Sequence, residues 1–157
     1  MNVKEIKKDI YSTFAETASE IGYSEIHGRI IAALLVAGKK LPLQELAKET
    51  GYSNSTISLS LDLLEFLGMI KKIKNVGDRK LYIELQGDLL EGLKKAFLIK
   101  LQKTISNTIE KFIEYRNELK KSRDGEKAKV LKSLNILEKE VKMVNKYINL
   151  LSKLRLP

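Results

Sequence analysis

The chain contains no cysteine, which excludes disulfides, thiolate metal sites and a cysteine nucleophile at once. It has one histidine, His27, too few ligands for a zinc site of the usual composition. His27 neighbours Ile30 and Ile31 on a helical repeat, so a partly buried structural or effector-contacting role is expected. The longest strongly apolar run, Ile30 to Gly38, falls far short of the roughly 18 residues of a bilayer span. The opening stretch, Met1 to Asp9, is charged and amphipathic, unlike a secretory leader. The expectation is a cytoplasmic protein without membrane contact. Its nine glycines spell neither a phosphate loop nor a dinucleotide fingerprint. Ser53, Ser55, Ser58 and Ser60 have no paired base. No catalytic constellation can be assembled, so the chain is read as a non-enzyme with no cofactor and no metal.

What is present suffices for a folded core. The 157 residues are 43% hydrophobic, enough to bury a core without staples and too apolar for a disordered tail. The net charge of +9 is unevenly spread: residues 1–38 carry −1, residues 39–87 carry +2 and residues 88–157 carry +8. Basic character is the footprint of a phosphate-binding protein. A Lys/Glu-rich solvated surface is the equal alternative, and charge alone does not choose between them.

Periodicity organises the chain. Ile6, Ile10, Phe14, Ala18 and Ile21 form one helical stripe, stopped at Gly22. Ser24 caps a second helix to Ala37, with Gly38 ending it. Pro42 opens a short helix, Leu43 to Thr50, and Gly51 closes it. Ser53 caps the next, which runs to Gly68. The period then changes: Arg79 to Leu85 alternates, Gly77-Asp78 signals a turn, and Met69 to Asn75 is the partner strand. From Asp88 the spacing returns to that of a helix, through Leu89, Leu93, Phe97, Leu101, Ile105, Ile109, Phe112, Arg116 and Leu119. Lys120 to Lys127 holds no apolar residue and reads as a helix–helix turn. Beyond it Leu134, Leu137, Val141, Val144, Ile148 and Leu151 keep a coiled-coil alternation of three and four.

Residues 43–68 carry the functional signal. Two helices crossing at close range need a small residue, supplied by Ala47, and the tight turn needs positive φ, supplied by Gly51. Ile57, Leu61 and Leu64 bury one face of the second helix. Asn54, Ser55, Ser58, Leu59 and Asp62 are then left to project outward, and short polar side chains let a helix sit deep in a major groove. Helix–glycine–helix units are common in any small helical protein. The hairpin that follows, with Lys71, Lys72, Lys74, Arg79 and Lys80 against Asp78, makes the layout that of a winged helix whose basic wing reaches flanking phosphates or the minor groove.

Thr56-Ile57-Ser58, Leu61, Leu64-Glu65, Gly68-Met69-Ile70 and the wing Gly77-Asp78-Arg79-Lys80 resemble the MarR superfamily of winged helix-turn-helix transcriptional regulators. The likeness is to its GbsR-like branch of archaeal type and covers roughly residues 24–120. It implies a homodimer joined by its N-terminal and C-terminal helices, with a DNA reader on each side. One position departs: many such regulators have arginine after the residue matching Ser58, and this chain has Leu59. Ser53–Leu67 holds no basic residue and carries Asp62 and Glu65, so base readout falls to hydroxyls, Asn54 and apolar contact.

The expected fold is mainly α with a small β-hairpin wing. Residues 1–22 form a dimerisation helix, 23–87 the winged helix-turn-helix and 88–157 a helical hairpin or coiled coil for dimerisation. Candidate DNA contacts are Ser53, Asn54, Ser55, Thr56, Ser58 and Leu59 on the recognition helix, with Lys71, Lys72, Lys74, Arg79 and Lys80 on the wing. Expected partners are double-stranded DNA, bound at a pseudo-palindromic operator, and a second copy of the chain. A small-molecule effector between dimer helices and reader is an alternative role for Tyr11, Phe14 and Tyr23, which otherwise read as core. Two other functions stay open: a winged-helix scaffold of the transcription machinery, and a nonspecific chromatin-coating protein.

Overall fold

Local caps set several helix ends. Asn2 and Glu5 form a reciprocal cap: the Glu5 amide donates to Asn2 Oδ1 at 3.0 Å and the Asn2 amide to Glu5 Oε2 at 2.7 Å. This starts α1 (Val3–Glu20). α2 (Glu25–Ala37) ends at Gly38, and α3 (Leu43–Thr50) ends at Gly51; both glycines are left-handed, with φ of 62° and 79°. α4 (Asn54–Phe66) starts at Ser53, whose hydroxyl accepts from the Thr56 amide at 3.1 Å. α5 (Leu89–Lys121) and α6 (Lys127–Lys153) complete the helices. The computed structural model describes residues 1–155, so the last two residues of the expected 88–157 segment lie outside the described residues.

The chain divides into two compact units, parting between Leu93 and Lys94 within the early turns of α5. In the first, β1 (Leu41–Pro42), β2 (Ile70–Lys74) and β3 (Leu81–Leu85) form an antiparallel sheet in the order β1-β3-β2. Ile70 pairs with Leu85, Lys72 with Ile83 and Lys74 with Leu81, while Leu41 pairs with Ile83 from the other side. The core is built around α2, whose Ile26, Ile30, Ile31, Ala32, Ala33 and Leu34 are all buried. Leu41, Leu46, Ile57, Leu61, Leu64, Ile70 and Ile83 close it from the helix-turn-helix and the sheet.

Two findings correct the sequence reading. α1 buries Tyr11, Ala15 and Ala18, whereas Ile10 and Phe14 are only half-buried and Ile6 is 42% exposed. The face is turned toward the small residues because α1 crosses α2 at Gly28, where a Cβ would stand 2.0 Å from the Phe14 carbonyl oxygen. So close an approach leaves room for alanines, not for the isoleucines of the expected stripe. α1 is also tied to α3: the Tyr11 hydroxyl donates to Glu49 at 3.0 Å and Lys7 pairs with Glu49 at 2.5 Å. Lys7, and secondarily Tyr11, hold the Glu49 carboxyl below its ordinary range. The other unexpected element is β1, too short to show a period of its own.

In the second unit, α6 runs alongside the later part of α5. Leu98, Ile105 and Ile148 are buried, with Leu101, Ile109 and Val141 packed against them, and Leu134 is buried as well. The helical series expected from Leu134 to Leu151 therefore splits. Leu134, Val141 and Ile148 turn into this seam, while Leu137, Val144 and Leu151 are exposed. Arg116 bonds Glu138 and, at 3.1 Å, Asn135; Glu138 also takes Lys142 at 2.6 Å. These two cations, Lys142 foremost, hold the Glu138 carboxyl down at about 2. Among the described residues, no helix is long and apolar enough to cross a membrane.

Candidate nucleic-acid interface

α4 is anchored by one face. Ile57 and Leu61 are fully buried and Leu64 nearly so; each such side chain contributes about 1.5–3 kcal/mol. That anchorage fixes which residues look outward. Asn54, Ser55, Thr56, Ser58 and Leu59 are all exposed, Leu59 to 79%, as is Ser53 at the cap. Ser60, one turn on from Thr56, is buried and donates to the Thr56 carbonyl at 3.1 Å. At the N-terminal end three hydroxyls gather: Ser53 Oγ lies 2.7 Å from Thr56 Oγ1 and 3.1 Å from Ser55 Oγ. Ser53 and Thr56 are thus partly committed to the cap and Ser55 bonds the cap hydroxyl, leaving Asn54, Ser58 and Leu59 as the less engaged positions.

The wing turns through Asn75, Val76, Gly77 and Asp78. The Asp78 amide donates to the Asn75 carbonyl at 3.1 Å, and Gly77 takes φ 83°, the third position of a type II turn that glycine fills without strain. Asp78 then orders the returning strand, accepting from the Lys80 amide at 2.9 Å. A hydrogen bond to Asp78 raises the Tyr82 hydroxyl above its ordinary value. Asp78, the one acid at the tip of the wing, is thereby occupied in turn geometry. Lys71, Lys74, Arg79 and Lys80 are exposed.

Lys72 differs from the other four. Its ammonium bonds Asp62 and lies 3.1 Å from Glu65, and its amide donates to Glu65 Oε1 at 3.4 Å. Asp62 chiefly, with Glu65, holds the Lys72 ammonium above its ordinary range. This expected wing cation is engaged with α4, because strand alternation puts Lys72 on the same face as buried Ile70.

Lys40 was missed at the sequence level. Its ammonium stands 5.3 Å from the Tyr82 ring centre, brought there by the pairing of Pro42 with Tyr82. Only the two-residue β1 makes that neighbourhood, so no local pattern signals it. Tyr11 is buried in the core and Phe14 packs against that core, while Tyr23 meets His27 edge to face at 6.2 Å. Tyr11 is therefore a core residue. Among the described residues no group of His, Cys, Asp or Glu is placed to hold a metal.

No protein-family model matches the chain, and no curated protein matches it. Solved structures do. A crystal structure of a transcriptional regulator is 15% identical, over 94% of this chain and 99% of that one, with a TM-score of 0.57. At that identity the likeness shows the shared fold, mainly helical with a small antiparallel sheet as wing. NadR, solved with 4-hydroxyphenylacetate, is 20% identical over 89% of each chain at a TM-score of 0.43. A mutant of S. aureus MepR, bound to an oligodeoxyribonucleotide, is 19% identical over 85% of this chain and 94% of that one, also at 0.43. The last two are too distant to carry an argument.

Proposed function

We propose that this protein is a sequence-specific double-stranded DNA-binding transcriptional regulator that acts as a homodimer on a pseudo-palindromic operator. The observation that carries the reading is the outward face of α4. Opposite the Ile57–Leu61–Leu64 anchor it offers Asn54, Ser55, Ser58 and Leu59, in a unit whose hairpin carries four exposed cations. Short polar groups suit base edges in a major groove, and Lys71, Lys74, Arg79 and Lys80 suit phosphates, which position without specifying. Ser53 and Thr56, with the first amides of α4, suit a backbone phosphate. The homodimer is supported by the second unit, where Leu137, Val144, Tyr147, Leu150 and Leu151 of α6 are exposed at a spacing suited to a partner helix. The motifs around Thr56 and Gly77 favour the GbsR-like branch.

The test is selection of duplexes from genomic fragments, followed by footprinting of wild type and of the Asn54→Ala/Ser55→Ala/Ser58→Ala variant. The expected footprint has two-fold symmetry. A bidentate Asn54–adenine contact alone is worth about 1–3 kcal/mol on the selected site and much less on random DNA. Unchanged binding by a folded triple variant would sink the reading. The +8 charge of residues 88–157 favours a second reading, a chromatin-coating protein, which predicts salt-sensitive binding to every duplex with no preferred site.

A further inference from the structure

The recognition helix has the wrong charge for its proposed partner. Ser53–Leu67 contains two acids and no base, and duplex DNA presents a negative charge about every 1.7 Å of its axis. The Asp62 side chain is 76% exposed, on the row Ser55, Leu59, Asp62, whose four- and three-residue steps run along one helix face. An unopposed carboxylate there stands beside the groups that would meet the groove. Like charges facing each other across an interface lower affinity steeply.

Resting on the DNA-binding reading, we propose that Lys72 is an internal counter-ion, a positioning residue that offsets one of the two negative charges of Asp62 and Glu65 so that α4 can approach duplex phosphates. Among the five wing cations it alone is not exposed. Its side chain, 25% exposed, already directs its ammonium to two carboxylates, leaving at most one of three donors for anything else. The Glu65 carboxylate is held twice by the same residue, through the Lys72 ammonium and the Lys72 amide, so the cation stays on α4 and not in solvent. An ion pair this near the surface adds little to folding stability. Its consequence appears only when a polyanion approaches. Lys72 then acts on binding without touching DNA, whereas Lys71, Lys74, Arg79 and Lys80 face outward.

The experiment compares wild type, K72M, D62N/E65Q and the triple variant for affinity to a short random-sequence duplex at low ionic strength, with circular dichroism confirming the fold of each. K72M should bind about tenfold more weakly than wild type, because two carboxylates are uncovered. In the D62N/E65Q background the same substitution should cost about twofold or less. An equal loss in both backgrounds would make Lys72 an ordinary phosphate contact and overturn the proposal, as would no loss in the wild-type background. A second readout needs no DNA: carbon-13 NMR titration of the Lys72 ammonium should show it raised in wild type and returned to the ordinary lysine range in D62N/E65Q. An unperturbed ammonium in wild type overturns the proposal at its geometric root. Wild-type protein that binds no duplex overturns the DNA-binding reading, and this proposal with it, even where the titration finds the clamp intact.

Discussion

The two units bury their apolar residues to very different degrees. In the first, Ile30, Leu34, Leu41, Leu46, Ile57, Leu61, Ile70 and Ile83 are wholly enclosed by helices and sheet on several sides. In the second, Ala96, Leu98, Ile105, Leu134 and Ile148 are buried, while Ile136, Leu137, Val144, Tyr147, Leu150 and Leu151 stay exposed. The reason is geometric. Two helices can cover only the stripe each turns to the other, and a helix with apolar residues on more than one face leaves the rest to solvent. The first unit encloses its largest side chains with helices and sheet together, leaving apolar residues such as Leu59, Phe66 and Val76 at its surface. The first unit completes its own core, and the exposed apolar face of α6 in the second is the basis of the proposed homodimer.

That contrast can be broken from either side. The largest effect is expected in the enclosed core: Leu61→Ala should cost about 2–5 kcal/mol in urea unfolding, because the cavity is walled by Ile57, Leu64 and α2 and cannot collapse. If it cost less than the same change at exposed Leu137, the assignment of a closed and an open unit would be wrong. Substituting Leu137 and Val144 together by Asp should leave that core intact by circular dichroism and abolish self-association in light scattering. A wild-type protein already monomeric at micromolar concentration would remove the need for a partner altogether.

Smaller effects sharpen the comparison. Arg79→Ala on the wing should weaken all duplexes nearly alike and flatten the salt dependence by about one unit of slope; equal binding at every salt concentration would mean the hairpin is no wing. In the second unit, Glu138 is held at about 2, from an ordinary 4.5, by Lys142 and Arg116. A depressed carboxyl contributes stability that is present above about pH 4.5 and is lost as pH falls toward 2. Thermal melting between those limits should therefore fall less steeply with acid in Glu138→Gln than in wild type. The difference should be small, since near-surface pairs are screened. Identical slopes would show that the Arg116–Glu138–Lys142 network does not bear on folding.

The candidate site was legible where its signals are local. Outward projection of Asn54, Ser55, Ser58 and Leu59 follows from burying Ile57, Leu61 and Leu64, three positions on one short helix. The pairing of Lys72 with Asp62 and Glu65 was not legible, because a lysine in a basic hairpin looks like its neighbours until strand register turns it toward α4. Lys40 was hidden for the same reason, reaching Tyr82 only through a pairing of two residues.

By itself, the sequence determined the succession of the helices and the hairpin. The ends of α2, α3 and α4 at Gly38, Gly51 and Ser53, the turn at Gly77 and the break between α5 and α6 depend on the backbone freedom and hydrogen-bonding reach of residues within a few positions. Tertiary structure alone decided which side of α1 is buried, since that is set by Gly28 on another helix admitting the Phe14 backbone. It also decided that β1 exists, that Lys72 pairs with Asp62 and Glu65, and that half of the α6 heptad faces outward. Each of these depends on groups far apart along the chain, whose meeting no local periodicity encodes.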